Sequence, residues 1–197
     1  MSNLGDLLES ANILFLKKRF SDAISIYKKI IKLTPNNLVA INNIGYALSK
    51  SKDYQSAISY YDYGLQQEPN EKTLLINKIS ALRKMKMLDY ALDNCNTILS
   101  KNPNDLIVLY HKLRILYELK KYEESLKICD RILLLYPNNA DILFDKACNL
   151  LSLDRQEECL ESLHRSIKIS NEFKLKVKKS KLFKKLEKNH TFINLMT

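Results

Sequence analysis

The chain has 197 residues, a formal net charge of +10, 46% hydrophobic residues and 27% charged residues, which is ordinary for a globular protein with a sizeable core. Only 3 glycines and 4 prolines are present, which disfavours an all-β fold or a glycine-rich phosphate loop and favours helices. The longest apolar run, ILLLYP at 132–137, is far too short for a membrane span, and no basic flank followed by an apolar stretch opens the chain, so we expect a cytoplasmic protein.

The prolines recur at a fixed interval of 34 residues, at Pro35, Pro69, Pro103 and Pro137. A constant period of this length indicates tandem structural repeats. With proline at the thirty-second place of each unit, the repeats are 4–37, 38–71, 72–105, 106–139 and 140–173, the last with Asn171 instead of proline. We therefore expect five repeats within residues 1–173 and a C-terminal segment at 174–197.

Each repeat is predicted to contain two amphipathic helices around a short polar break. The eleventh place is leucine in all five repeats and the twentieth is always small, a spacing that lines one face of a helix. The end of each repeat is marked by the proline, which cannot easily continue a helix. The second helix is predicted to begin at the residues Ser21, Gln55, Asp89, Glu123 and Glu157, most of which suit a helix start.

The second repeat matches a known family pattern best. Ile44 and Gly45 occupy places seven and eight, Ala57 place twenty, Tyr61 place twenty-four and Pro69 place thirty-two. This pattern resembles that of the tetratricopeptide repeat family. It recurs in register over about residues 4–173. The resemblance implies an all-α, right-handed α-solenoid of helical hairpins with a C-terminal capping helix. The aromatic residue usual at the fourth place is absent from all five repeats.

Places eight and twenty-four are predicted to face each other within a hairpin. Where place eight is small, as in Gly45, place twenty-four is large, as in Tyr61. Where place eight is bulky, as in Ile79 and Leu113, place twenty-four is a cysteine, Cys95 or Cys129. Close packing requires such conservation of volume, so we expect these two cysteines to be core residues.

Residues 172–197 are predicted to cap the last repeat. Leu175, Leu182 and Leu186 have a helical spacing, and Phe192, Ile193 and Leu195 offer a second apolar anchor. Terminal Phe-x-x-Leu units, here Phe183–Leu186 and Phe192–Leu195, resemble the closing segment of many chains of this family. This segment has eight lysines and two glutamates, hence a net charge of +6. We interpret the lysines as a solvated outer face rather than as a nucleic-acid or membrane site, because no base-stacking aromatic residues accompany them.

No catalytic or metal-binding pattern is present in the sequence. The four cysteines and three histidines have no zinc-ligand spacing, and no nucleophile has a base at a motif spacing. We interpret all four cysteines as buried reduced thiols. We therefore expect neither an enzyme nor a cofactor.

The family resemblance implies a concave groove lined by the first helix of each repeat. Tyrosine and arginine are effective anchors for a bound chain, and asparagine can hydrogen-bond a peptide backbone. The predicted groove residues are Leu8, Asn12, Phe15, Asn42, Asn43, Tyr46, Ile76, Asn77, Arg83, Lys84, Tyr110, His111, Arg114, Tyr117, Asp141, Phe144 and Asp145.

The leading hypothesis is a non-catalytic scaffold that binds a peptide or protein segment in this groove. One subtype of the family clamps a C-terminal carboxylate with two asparagines, two lysines and an arginine. Asn12 and Asn43 match its asparagines, but Leu8, Thr73 and Asn77 replace the three basic residues, so that activity is not assigned. The alternatives are binding of RNA or another anionic partner through the basic C-terminal helix and the groove, and self-association.

Overall fold

A computed structural model of the chain describes residues 3–197, and within that range it is helical with no β-strand. The helices form two compact units, 1–103 and 104–197. Each predicted repeat contains two helices, and within each unit consecutive helices pack against one another. The predicted fold class, an all-α tandem of helical hairpins, is confirmed.

The first unit contains three hairpins. The first helices of its repeats are α1 (Leu4–Leu16), α3 (Leu38–Lys50) and α5 (Lys72–Lys84). The second helices are α2 (Phe20–Leu33), α4 (Tyr54–Gln67) and α6 (Leu88–Lys101).

The second unit contains two hairpins and the C-terminal cap. The hairpins are α7 (Leu106–Glu118) with α8 (Tyr122–Leu135), and α9 (Ala140–Ser152) with α10 (Gln156–Ile169). The cap consists of α11 (Glu172–Lys179), a 3-10 helix (Lys181–Leu186) and α12 (His190–Met196).

The second helices begin one residue earlier than the sequence predicted. Their first residues are Phe20, Tyr54, Leu88, Tyr122 and Gln156. In the first and fourth repeats the aromatic residue at this place joins the helix because it packs on the preceding helix: the rings of Phe15 and Phe20 lie 5.5 Å apart, and those of Tyr117 and Tyr122 lie 5.4 Å apart. Sequence reasoning had treated these residues as part of the polar break.

The residue at the last place of a repeat caps the next helix. The side chain of Asn37 accepts a hydrogen bond from the backbone N–H of Ala40 at 2.9 Å, and Asn139 accepts from Ile142 at 3.1 Å. Such caps satisfy backbone donors that a helix start leaves unpaired. The residue two places after the proline therefore ends one repeat and caps the first helix of the next.

The turn inside each hairpin contains one residue with positive φ. These residues are Lys18, Lys52, Lys86, Lys120 and Asp154, with φ between 58° and 66°. The left-handed conformation is unfavourable for side chains with a Cβ. The turn geometry of the repeat therefore imposes local strain on residues that are not glycine.

The predicted pairing of places eight and twenty-four is confirmed in the second repeat. A Cβ built on Gly45 would lie 2.4 Å from Cε1 of Tyr61, so the ring fills the space above the glycine. Tyr61 is 1% exposed, and Cys95 and Cys129 are fully buried, as expected for core residues. The expectation that all four cysteines are buried was wrong for Cys148, which is half-buried.

The C-terminal cap is three short segments rather than the single predicted helix, because Ser180 adopts an extended conformation after α11. Its apolar side is formed by Phe173, Val177, Phe183, Leu186 and Phe192, which share one core with α9 and α10. Two predicted anchors were wrong: Leu175 is 59% exposed and Ile193 is 42% exposed. The reason is register, since α11 turns Phe173 and Val177 inward, four residues apart, and thereby places Leu175 outside.

Candidate interaction surface

The first unit contains a chain of hydrogen bonds that links its three first helices. Asn77 donates to Asn42 at 2.8 Å, Asn42 donates to Asn43 at 3.4 Å, and Asn43 donates to the Tyr27 hydroxyl at 3.2 Å. The hydroxyl in turn donates to Asn12 Oδ1 at 2.5 Å. We call these five residues the asparagine ladder. Four of them are predicted groove residues, and the structure brings them together.

The ladder is ordered by a buried tyrosine and remains accessible to solvent. The Tyr27 side chain is fully buried, whereas Asn42, Asn43 and Asn77 are half-buried and Asn12 is exposed. Burial raises the pKa of Tyr27, so its hydroxyl stays protonated and can donate. Each amide has two N–H donors and two acceptor lone pairs, and the ladder uses only part of this capacity.

An open pocket of about 400 Å³ adjoins the ladder in the same unit. It lies between the end of α3, the start of α4 and the end of α5, and Asn77 contributes to both the pocket and the ladder. Its basic residues are Lys50, Lys52 and Lys84. We call it the lysine pocket. The sequence predicted Lys84 as a groove residue but gave no role to Lys50 or Lys52.

In the second unit, the predicted groove residues bind one another. The Arg114 guanidinium lies 4.1 Å from the ring centroid of Tyr110 and donates to its hydroxyl. Arg114 Nε also lies 3.5 Å from Oδ2 of Asp145. Burial raises the pKa of the Asp145 carboxyl, and the charge of Arg114 counteracts that rise. The positive charge predicted to hold a partner's carboxylate is therefore paired with a carboxylate of the chain itself.

Other predicted groove residues have structural partners. Phe144 packs between Phe173 and Phe183 of the cap, with ring centroids 5.4 and 5.8 Å away. The Tyr117 hydroxyl lies 3.5 Å from Ser152 Oγ. Several more are half-buried or exposed on their first helices: Leu8, Phe15, Tyr46, Ile76, Arg83 and His111 are half-buried, and Asp141 is exposed.

Sequence reasoning missed Tyr27 as a member of the surface. Tyr27 occupies place twenty-four of the first repeat, which was predicted to pack against place eight, here Ala11, and its ring does lie in the same core as Ala11. The hydroxyl, however, extends beyond the core to two asparagines. The hydroxyl of a buried tyrosine usually has a hydrogen-bond partner, and a search for that partner would have identified Tyr27 as part of the surface.

Within residues 3–197, no group of three or more histidine, cysteine, aspartate or glutamate side chains has a geometry that would hold a metal ion. In the same part of the chain, none of the helices combines the length and the apolar character that crossing a bilayer requires.

Comparison with protein families identifies the repeat. The model of the tetratricopeptide repeat matches residues 3–37 and 39–71, and the same two-helix unit continues at the same period through residue 169. Residues 3–71 therefore contain two tetratricopeptide repeats, and the helical hairpins that follow them share their fold. The fold of this family generally serves as a scaffold for protein–protein interaction. Among curated proteins, none is similar enough in sequence to match the chain.

Several solved structures, two of them described as tetratricopeptide repeat proteins, have a similar fold. A tetratricopeptide repeat protein from Parabacteroides merdae is 19% identical and superposes with a TM-score of 0.86, over 98% of this chain and 77% of that one. YrrB, described as having an unusual peptide-binding site, is 19% identical with a TM-score of 0.71, over 86% of this chain and 87% of that one. MamA from Desulfovibrio magneticus RS-1 is 17% identical and superposes with a TM-score of 0.79, over 87% of this chain and 98% of that one.

Proposed function

We propose that this protein is a non-catalytic scaffold that holds an extended segment of a protein partner on the first helices of its first unit. The asparagine ladder is the observation that supports the proposal. Its amides on α1, α3 and α5 keep unused donors and acceptors, and a peptide backbone presents groups of both kinds. YrrB, which has a similar fold, is described as having an unusual peptide-binding site, and this supports the choice of a peptide as the partner.

The second unit is proposed to contribute less to capture. Arg114 is already paired with Asp145, and Phe144 is part of the contact with the cap. A variant that removes Arg114 would leave the Asp145 carboxylate without its cation, so it would test stability rather than binding. The ladder offers a cleaner test.

The test compares two double variants in affinity capture from native lysate and in binding to the captured partner. Asn42→Ala with Asn43→Ala removes the centre of the ladder and should weaken binding at least ten-fold, because several amide contacts are lost together. Gln55→Ala with Gln66→Ala, at exposed positions of α4, is the matched control and should bind as the parent does. Circular dichroism confirms that both variants remain helical. Equal binding by both variants would reject the proposal.

The basic tail is proposed to act as a cap, with residues 1–173 carrying the five repeats. Lys176 pairs with Asp141 at 3.2 Å and Lys185 with Asp154 at 3.0 Å, so two of its lysines join the tail to the last repeat. These contacts favour a structural role over RNA binding. A polyuridine oligonucleotide that bound with a steep salt dependence, lost on deletion of 181–197, would instead support the RNA alternative.

Self-association stays a possible third mode, in which the cap of one molecule occupies the surface of another. Light scattering of the full chain distinguishes it. A monomer at all concentrations tested would exclude this mode and leave the partner-binding proposal in place.

A further inference from the structure

The lysine pocket concentrates positive charge without a compensating acid. None of the described residues that line it is acidic. Within residues 3–197, neither Lys52 nor Lys84 pairs with a carboxylate. Lys50 is held with its ammonium 4.9 Å from the ring centroid of Tyr46. Three lysines and no acidic residue therefore line one opening, an arrangement that an anion would stabilise.

Helix ends alone do not explain this charge. Lys50 and Lys84 are the last residues of α3 and α5, where a cation interacts favourably with the helix dipole. The same place is occupied by Leu16 in α1, Glu118 in α7 and Ser152 in α9. A basic residue at this place is thus confined to the two neighbouring helices that form the pocket.

The pocket also supplies neutral donors. Ser80 and Tyr54 contribute hydroxyl groups to its lining, and Asn77 contributes an amide. A phosphoryl group carries nearly two negative charges at neutral pH and three strong acceptor oxygens. Lysine binds phosphate as a point charge, whereas planar bidentate recognition of a carboxylate is the speciality of arginine. The donor set therefore suits a phosphoryl group better than a carboxylate.

We propose that the lysine pocket receives a phosphorylated side chain of the segment that the asparagine ladder holds. This inference rests on the proposed function, because Asn77 belongs to both sites and the bound segment would pass from one to the other. The pocket of about 400 Å³ is large enough for a phosphorylated residue. Phosphorylation of the partner would then switch its capture on.

The direct test uses defined probes on the isotope-labelled full chain, followed by NMR. The probes are the N-acetyl amides of phosphoserine, phosphotyrosine and Glu-Glu. The phosphorylated probes should shift the signals of Lys50, Lys52, Ser80 and Lys84. Lys50→Gln with Lys84→Gln should weaken their binding ten-fold or more, because each ammonium contributes a charge-assisted hydrogen bond. Lys28→Gln with Lys29→Gln, which removes the same charge from exposed positions of α2, should leave binding unchanged.

The outcomes separate this inference from the proposed function. Equal binding of Glu-Glu, or shifts that map to the basic tail instead of the pocket, would overturn the phosphate assignment. Capture of the partner is then compared for the pocket variant and for Asn43→Ala, which alters the ladder only. If Asn43→Ala loses capture of the partner and the pocket variant does not, the phosphate inference is overturned and the proposed function stands. Undiminished capture by both variants overturns the proposed function as well.

Discussion

The packing of Gly45 against Tyr61 predicts that a larger residue at position 45 is tolerated only when the residue at position 61 becomes smaller at the same time. In the third and fourth repeats the corresponding pairs are Ile79 with Cys95 and Leu113 with Cys129. We therefore consider Gly45→Leu, Tyr61→Cys and the double variant, which copies the arrangement of the fourth repeat.

The magnitudes follow from the contacts. A Cβ on Gly45 would lie 2.4, 2.8 and 2.9 Å from three carbons of the Tyr61 ring, so Gly45→Leu should destabilise by about 3 kcal/mol through overpacking, less about 1 kcal/mol for the better helix propensity. Tyr61→Cys should destabilise by about 3–4 kcal/mol, because it leaves a cavity at a side chain that is 1% exposed. The double variant should lose no more than about 2–3 kcal/mol, which gives a coupling energy of about 3 kcal/mol.

Urea unfolding followed by circular dichroism measures this cycle, with equal m-values required before the free energies are compared. Cooperativity needs checking in a repeat protein, since hairpins can unfold separately. The matched control is Gly5→Leu at the start of α1, where an added Cβ meets nothing nearer than Asn3 Nδ2 at 4.0 Å, so it should not destabilise. Additive losses in the double variant would refute the account of the core.

Four further predictions concern single groups. Lys120→Gly should raise the free energy of unfolding by up to about 1 kcal/mol in urea titrations, because φ is 60° there; a loss would contradict it. Cys129 is fully buried and burial raises its pKa, so a thiol reagent followed by mass spectrometry should label it about 100-fold more slowly than in denaturant. Burial raises the pKa of Tyr61 from 10.0 to about 12, so the unfolded chain loses this proton at a lower pH than the folded chain does. The free energy of unfolding should therefore fall by about 2–3 kcal/mol between pH 10 and 12, and urea titrations of Tyr61→Phe should not show this fall. Arg114→Ala should destabilise by about 1–3 kcal/mol near neutral pH, and less at acid pH where Asp145 becomes protonated.

The repeat frame was predictable because it rests on periodicity. A proline every 34 residues and a leucine at the eleventh place of each repeat predicted five hairpins in chain order, and the structure has five, the last of which ends at Ile169. The first residue of each second helix could not be predicted in the same way, because whether Phe20 belongs to a turn or to a helix depends on its contact with Phe15. The cap was the least predictable part, because Ser180 breaks it and Leu175 has no core to reach.

The structure brings together several residues of the predicted groove, but the sequence did not predict how they pair. The family resemblance placed Asn12, Asn43 and Asn77 on the groove side of the first helices. That Tyr27 would connect Asn12 with Asn43 depends on the distance between two helices in space, which no spacing in the sequence encodes. For the same reason the sequence presented Arg114 as available when it is paired with Asp145.

The two units use equivalent places for opposite purposes. In the second and third repeats, place six is Asn43 and Asn77, and their amides keep spare donors and acceptors because the ladder consumes only one or two bonds each. In the fifth repeat the same place is Asp145, whose charge the chain neutralises through Arg114. A neutral amide can exchange water for a peptide backbone at little desolvation cost, whereas a partner of Arg114 would first have to displace a half-buried carboxylate. On the proposed function, the capacity to bind therefore follows from side-chain chemistry at one place of a common fold, and we expect it to be greater in the first unit.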